Sequence, residues 1–140
     1  MSIITDAIVQ LQTIALALVD EEIRSAPTYP VDTAAALPIA IAYIAEGTGQ
    51  ADDASTARLL LTINVDFHVR RDSMKSAYTQ LNNIIPEFLK RLAGDPTLSG
   101  TVDTINFPVS FTVAPAQWDA VVTQMASFSV PVKFIETPTT

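Results

Sequence analysis

The run RLLLTINVDFHVR, from Arg58 to Arg70, alternates without interruption. Leu59, Leu61, Ile63, Val65, Phe67 and Val69 fall on one side, and Leu60, Thr62, Asn64, Asp66, His68 and Arg70 on the other. Side chains of a β-strand point to opposite faces with a period of two, so this run predicts a strand with one apolar face and one largely polar face. No strand can cover its own apolar face. It must belong to a sheet, and something apolar must pack on that sheet.

Two helical patterns supply the cover. Ile4, Ala7, Ile8, Leu11, Ile14, Ala15, Leu18 and Val19 recur at spacings of three and four, predicting an amphipathic helix over residues 3–23. Met74, Ala77, Tyr78, Leu81, Ile84, Ile85, Phe88, Leu89 and Leu92 do the same, with Asp72 placed to cap that helix and Gly94 to end it. Pro86 lies inside and predicts a kink. Three further strands are expected. In the first, over 37–45, Leu37, Ile39, Ile41 and Tyr43 alternate with Pro38, Ala40, Ala42 and Ile44. The others run through Ile105–Val113 and Phe128–Phe134. Residues 46–57, EGTGQADDASTA, predict a long polar loop, and APAQWDAVVTQMA, with the single Trp118, a loop or short helix. The order is αββαββ. It predicts an α+β fold in which a mostly antiparallel four-stranded sheet is packed by two helices on one face. One domain is expected over 1–136, with 137–140 a loose tail.

The residues that carry chemistry are few. FHVRRD, residues 67–72, holds the only histidine, and the chain has no cysteine. That excludes a thiolate nucleophile, a zinc–thiolate site and a disulfide framework. No acidic spacing resembles a calcium loop, and Asp103 and Asp119 are separated by a strand. No serine lies in a nucleophile-elbow pattern, so neither an enzyme nor a cofactor is expected. The net charge of −7 opposes broad affinity for a phosphate backbone. The N-terminal apolar stretch carries Asp6, Gln10 and Gln12 without a basic leader, so it reads as neither a signal peptide nor a membrane span. His68 then reads as a solvated or subunit-facing side chain. Arg70, Arg71 and Lys75 read as ion-pairing groups at an interface. Asp20, Glu21 and Glu22 sit where a helix dipole disfavours them, and on a neighbouring copy they are mates for those bases. The loop bearing Asp52 and Asp53 reads as a segment that orders on binding.

Residues 65–105, VDFHVRRDSMKSAYTQLNNIIPEFLKRLAGDPTLSGTVDTI, resemble the tail terminator proteins of long-tailed bacteriophages. The likeness lies in a strand ending in His68–Arg71, a helix over Ser73–Leu92 and the turn Asp95–Val102, DPTLSGTV. Chain size, element order and the upstream LPIAIAYIAEG strand agree with it. The resemblance implies a homo-oligomer, a hexameric ring at the head-proximal end of the tail tube. Such a ring stops tube polymerisation and offers a surface to the head–tail connector protein. DNA passes through its channel without specific binding, which an acidic lumen favours. The implied location is the neck of the virion, assembled in the host cytoplasm, with no membrane and no catalytic site. The contacts to the ring or tube are expected at His68, Arg70, Arg71, Lys75, Asp95, Thr97, Leu98 and Gly100. Asp52, Asp53, Asp20, Glu21 and Glu22 are expected with them. Two rival readings remain: another neck component, for head closure or connector completion, and a small ligand-binding or adaptor domain unrelated to phage.

Overall fold

The alternating run is the inner strand of the sheet. The computed structural model describes residues 3–16, 39–51, 57–70, 74–118 and 121–136. Their elements are α1 (Ile3–Leu16), β1 (Ile39–Ala51), β2 (Ala57–Arg70), α2 (Met74–Ala93), β3 (Thr104–Ile105), β4 (Ser110–Trp118) and β5 (Val121–Glu136). β2 pairs with β1 on one side and β5 on the other, and the far side of β5 pairs with both β3 and β4. Every pairing is antiparallel, and the class is α+β.

Residues directly paired across strands share a face, so register assigns the core. Val65 pairs with Ala42 and Phe128, and Phe67 with Ala40 and Ala126. All are fully buried, in one cluster with Ala7, Leu11 and Ala15 of α1 and Ala77, Ile84, Phe88 and Leu92 of α2. Both helices therefore cover the same face. The alanines of β1 lie on it, and their small side chains let α1 come close to the strand. At the centre, the Phe67, Phe88 and Phe128 rings meet edge to face, with centroids 4.9–5.6 Å apart. Such pairs add about 0.5–1.5 kcal/mol each beyond the area they bury.

Three expectations change. The sheet has five strands, because the predicted 105–113 strand is broken into β3 and β4. Ile105 pairs with Val132 and Ser110 with Ser129, so four residues, 106–109, stand opposite two. The Asn106 N–H donates to the Pro131 carbonyl at 2.8 Å. A strand residue points its N–H and C=O the same way, so the N–H that Pro131 lacks would also have pointed at this break. That is why a proline is accepted in an interior strand. Second, residues 46–51 are not loop: β1 continues to Ala51, paired with β2 down to Ala57, after a register shift between Ile44 and Glu46. Ladder pairing overrides the low strand propensity of Gly47 and Gly49. Third, 114–118 and 121–126 are strand rather than loop or helix, the two arms of the β4–β5 hairpin. The acidic cluster 20–22, Asp52, Asp53, Arg71, the Asp72 cap and the 137–140 tail lie outside the described residues. Among the described residues, no helix is long and apolar enough to cross a membrane.

Phe88→Ala is expected to lower unfolding stability by about 3–5 kcal/mol, read from urea denaturation with an unchanged slope. A loss below about 1 kcal/mol would mean that the aromatic cluster does not hold α2 to the sheet.

Candidate functional site

The polar face of β2 is not solvated where it carries His68. His68 and Asp66 are 4% and 8% exposed, with Ile41 and Thr123 equally buried on the same face. Asp66 is shared by two strands: the Tyr43 hydroxyl of β1 donates to Oδ2 at 2.7 Å, and the Ser127 hydroxyl of β5 donates to Oδ1 at 2.5 Å. His68 Nδ1 lies 2.9 Å from Thr123 Oγ1. Burial pushes the His68 pKa below its ordinary value, and the nearby Asp66 carboxylate pulls it the other way. Burial also raises the Tyr43 phenol, and its bond to Asp66 adds to this. Both Asp66 oxygens accept bonds from this chain, so the group ties β1, β2 and β5 together. The expectation that His68 is a solvated or subunit-facing side chain is therefore corrected. Period-two alternation reports which face a residue is on, and says nothing of what covers that face.

The DPTLSGTV segment is a locked turn. Leu98, Ser99 and Gly100 have φ of 48°, 57° and 85°. Left-handed conformation costs about 1–2 kcal/mol for each non-glycine residue. Full burial of Leu98 contributes about 1.5–3 kcal/mol, enough to offset most of that. Asp95 adds to it: its Oδ1 accepts the Ser99 N–H at 2.7 Å, and its Oδ2 accepts the Gln10 amide of α1 at 3.3 Å. The Gln10 amide also donates to Ser99 Oγ at 3.0 Å. Leu98 is thus part of the core and not an outward contact. The side chains of Asp95 and Thr97 are spent on the turn, Thr97 Oγ1 accepting the Gly100 N–H at 3.3 Å.

Among the predicted ionic contacts, Lys75 is exposed on α2, and Arg70 ends β2 opposite Thr123. Their proposed acidic mates lie outside the described residues. What sequence reasoning missed is apolar. Met74 and Tyr78 of α2, Phe107 in the edge break, Phe111 and Val113 of β4 and Val122 of β5 are all more than one third exposed. Between α2 and β4 runs a groove of about 410 Å³, lined by Tyr78, Leu81, Asn82, Ile85, Pro86, Phe111 and Val113. The lining of α2 recurs at i, i+3, i+4, i+7 and i+8, and meets the core stripe of the helix at the buried Leu81. The breadth of the apolar arc on this helix, read as one face, was the available signal. A second depression of about 390 Å³, lined in part by Glu46, Thr48, Leu60 and Thr62, lies on the opposite face of the sheet.

Among the described residues, no three His, Asp or Glu side chains are placed to hold a metal ion. No family model and no curated protein matches the chain.

Because the folded-state His68 pKa is lowered, the unfolded chain binds its proton more readily. Stability from this residue is therefore complete above the unfolded value, about 6.5, and falls as pH drops through it. In urea titrations from pH 8 to 5, wild type should lose more stability than His68→Gln. Parallel curves would show that burial does not disfavour the charged imidazole.

Proposed function

We propose that this chain is a tail terminator of a long-tailed bacteriophage, a structural subunit whose ring caps the tail tube, stops its polymerisation and presents the surface for head joining. The observation that carries this reading is the one-sided distribution of exposed apolar side chains. Among the described residues, six of the eight large ones, from Met74 to Val122, belong to α2, to β4 and the break before it, or to β5. A polar domain that works alone seldom leaves so many together, whereas a subunit covered by neighbours does. The resemblance over residues 65–105 supplies the kind of assembly. Its helix and turn correspond to α2 and the Asp95–Val102 turn, which serve here to build the subunit.

In this reading the partners are other copies of the chain, the tail tube protein and the connector protein, in the neck of the virion. DNA passes through the ring, and the charge of −7 per subunit keeps it from adhering. No bound cofactor has a part in this activity.

Light scattering of the purified chain, alone and with tube protein, is expected to give a closed species of about six copies, as head-to-tail interfaces do when their rotation closes. Phage made without the protein should carry overlong tubes and no joined heads. Tubes of normal length would sink the terminator reading.

A further inference from the structure

The two edges of the sheet complement each other. Pro131 turns its carbonyl towards the β3–β4 side, and β5 keeps one register along the whole of β2. Backbone direction alternates along a strand, so Thr112 and Ala114 of β4 face β5, and Phe111, Val113 and Pro115 turn outward. Pro115 has no N–H to offer there, which blunts that end of the edge and leaves Phe111 and Val113 able to pair. The same count across β2 turns Glu46, Thr48 and Gln50 of β1 inward, and Ile44, Gly47, Gly49 and Ala51 outward. All four are exposed, and no proline, lysine or arginine occurs in the thirteen residues of β1. Among the described residues no strand pairs with this outer side of β1, and edges of this length are usually covered.

Direction and charge select what covers them. Counting the broken β3–β4 strand once, the sheet is four strands wide, and β1 and β4 run in opposite directions. A copy repeated head to tail therefore sets its β1 antiparallel to β4 without reversal. Within α2, Lys75, Lys90 and Arg91 outnumber Glu87, a balance of +2, which leaves −9 for the rest of a chain of −7. Most of one copy repels another, and the α2 side is where an acidic copy is attracted. On the helix face of β1 the outward arm presents Ile44, 43% exposed, followed by Gly47, Gly49 and Ala51. One large apolar side chain followed by small ones suits a shallow apolar groove.

We propose that the β4 edge and the α2–β4 groove receive residues 44–51 of a second copy of this chain, added as an antiparallel strand. The proposal rests on the ring reading for closure of the assembly, and on the two edges for the contact itself.

The chain has no cysteine, so introduced pairs report cleanly. Thr48→Cys and Thr112→Cys are exposed and both turn their backbone away from the new contact. Opposed across it they form a non-hydrogen-bonded pair, with Cα atoms about 4.5 Å apart, within disulfide reach. The two single variants, separately and mixed, are oxidised with oxidised glutathione and run on non-reducing gels. A cross-linked dimer several-fold stronger in the mixture than in either variant alone is expected. Equal dimer from one variant alone indicates a two-fold contact and overturns the proposal. An oligomer by light scattering without cross-link in any sample overturns this contact and leaves the ring reading standing. The double variant Thr48→Cys/Thr112→Cys separates the two claims from the other side. A covalent series ending at a closed species supports both, and open-ended polymer with the mixed cross-link keeps the contact and removes the ring.

Discussion

The fold depends on the mutual packing of Phe67, Phe88 and Phe128. One ring comes from each of β2, α2 and β5, so a single set of edge-to-face contacts holds the long helix across the two inner strands. Phe111 extends the set outward, its ring 5.4 Å from Phe128 and 43% exposed. The same aromatic array that forms the core therefore surfaces at the sheet edge, beside the groove. Core and candidate interface are continuous, and a neighbour seated on β4 would pack against side chains already held rigid by the interior. Rigid anchors lose little conformational entropy on association.

The opposite face of the sheet is held by different forces. There Asp66 accepts hydrogen bonds from Tyr43 and Ser127, and His68 meets Thr123, linking three strands by polar contacts. Removing one member of such a buried network leaves its partners unsatisfied, which costs more than the bond is worth while intact. This accounts structurally for a histidine and an aspartate two residues apart on one face of β2. FHVRRD joins a core position at Phe67, a buried polar tie at His68 and the end of β2 at Arg70.

Much of the fold was legible where side-chain period and burial coincide. The alternation of β2, the helical spacing of α2 and the αββ order all follow from that coincidence. The edge break between β3 and β4 was not legible. Two extra residues preserve period-two parity, so Ile105 and Phe111 still face the helices and the alternating pattern runs on through the break. The strand at 46–51 was missed for the converse reason. Gly47 and Gly49 signal a turn locally, and only the partner residues of β2 supply the pairing that holds them extended. At the candidate site, the apolar stripe of α2 was visible as residues, and its division between core and groove was not.

By itself the sequence determined an acidic, cysteine-free α+β chain with one strongly alternating strand and one long helix. These are properties of composition and of short-range periodicity, which are local. Tertiary structure alone decided that the polar face of β2 is covered as well where it carries His68, that Leu98 is interior, and that the groove-lining residues of α2 face β4 with nothing from the described residues seated in the groove. Those facts depend on register and on the number of residues opposed across a break, and both arise only when distant segments pair.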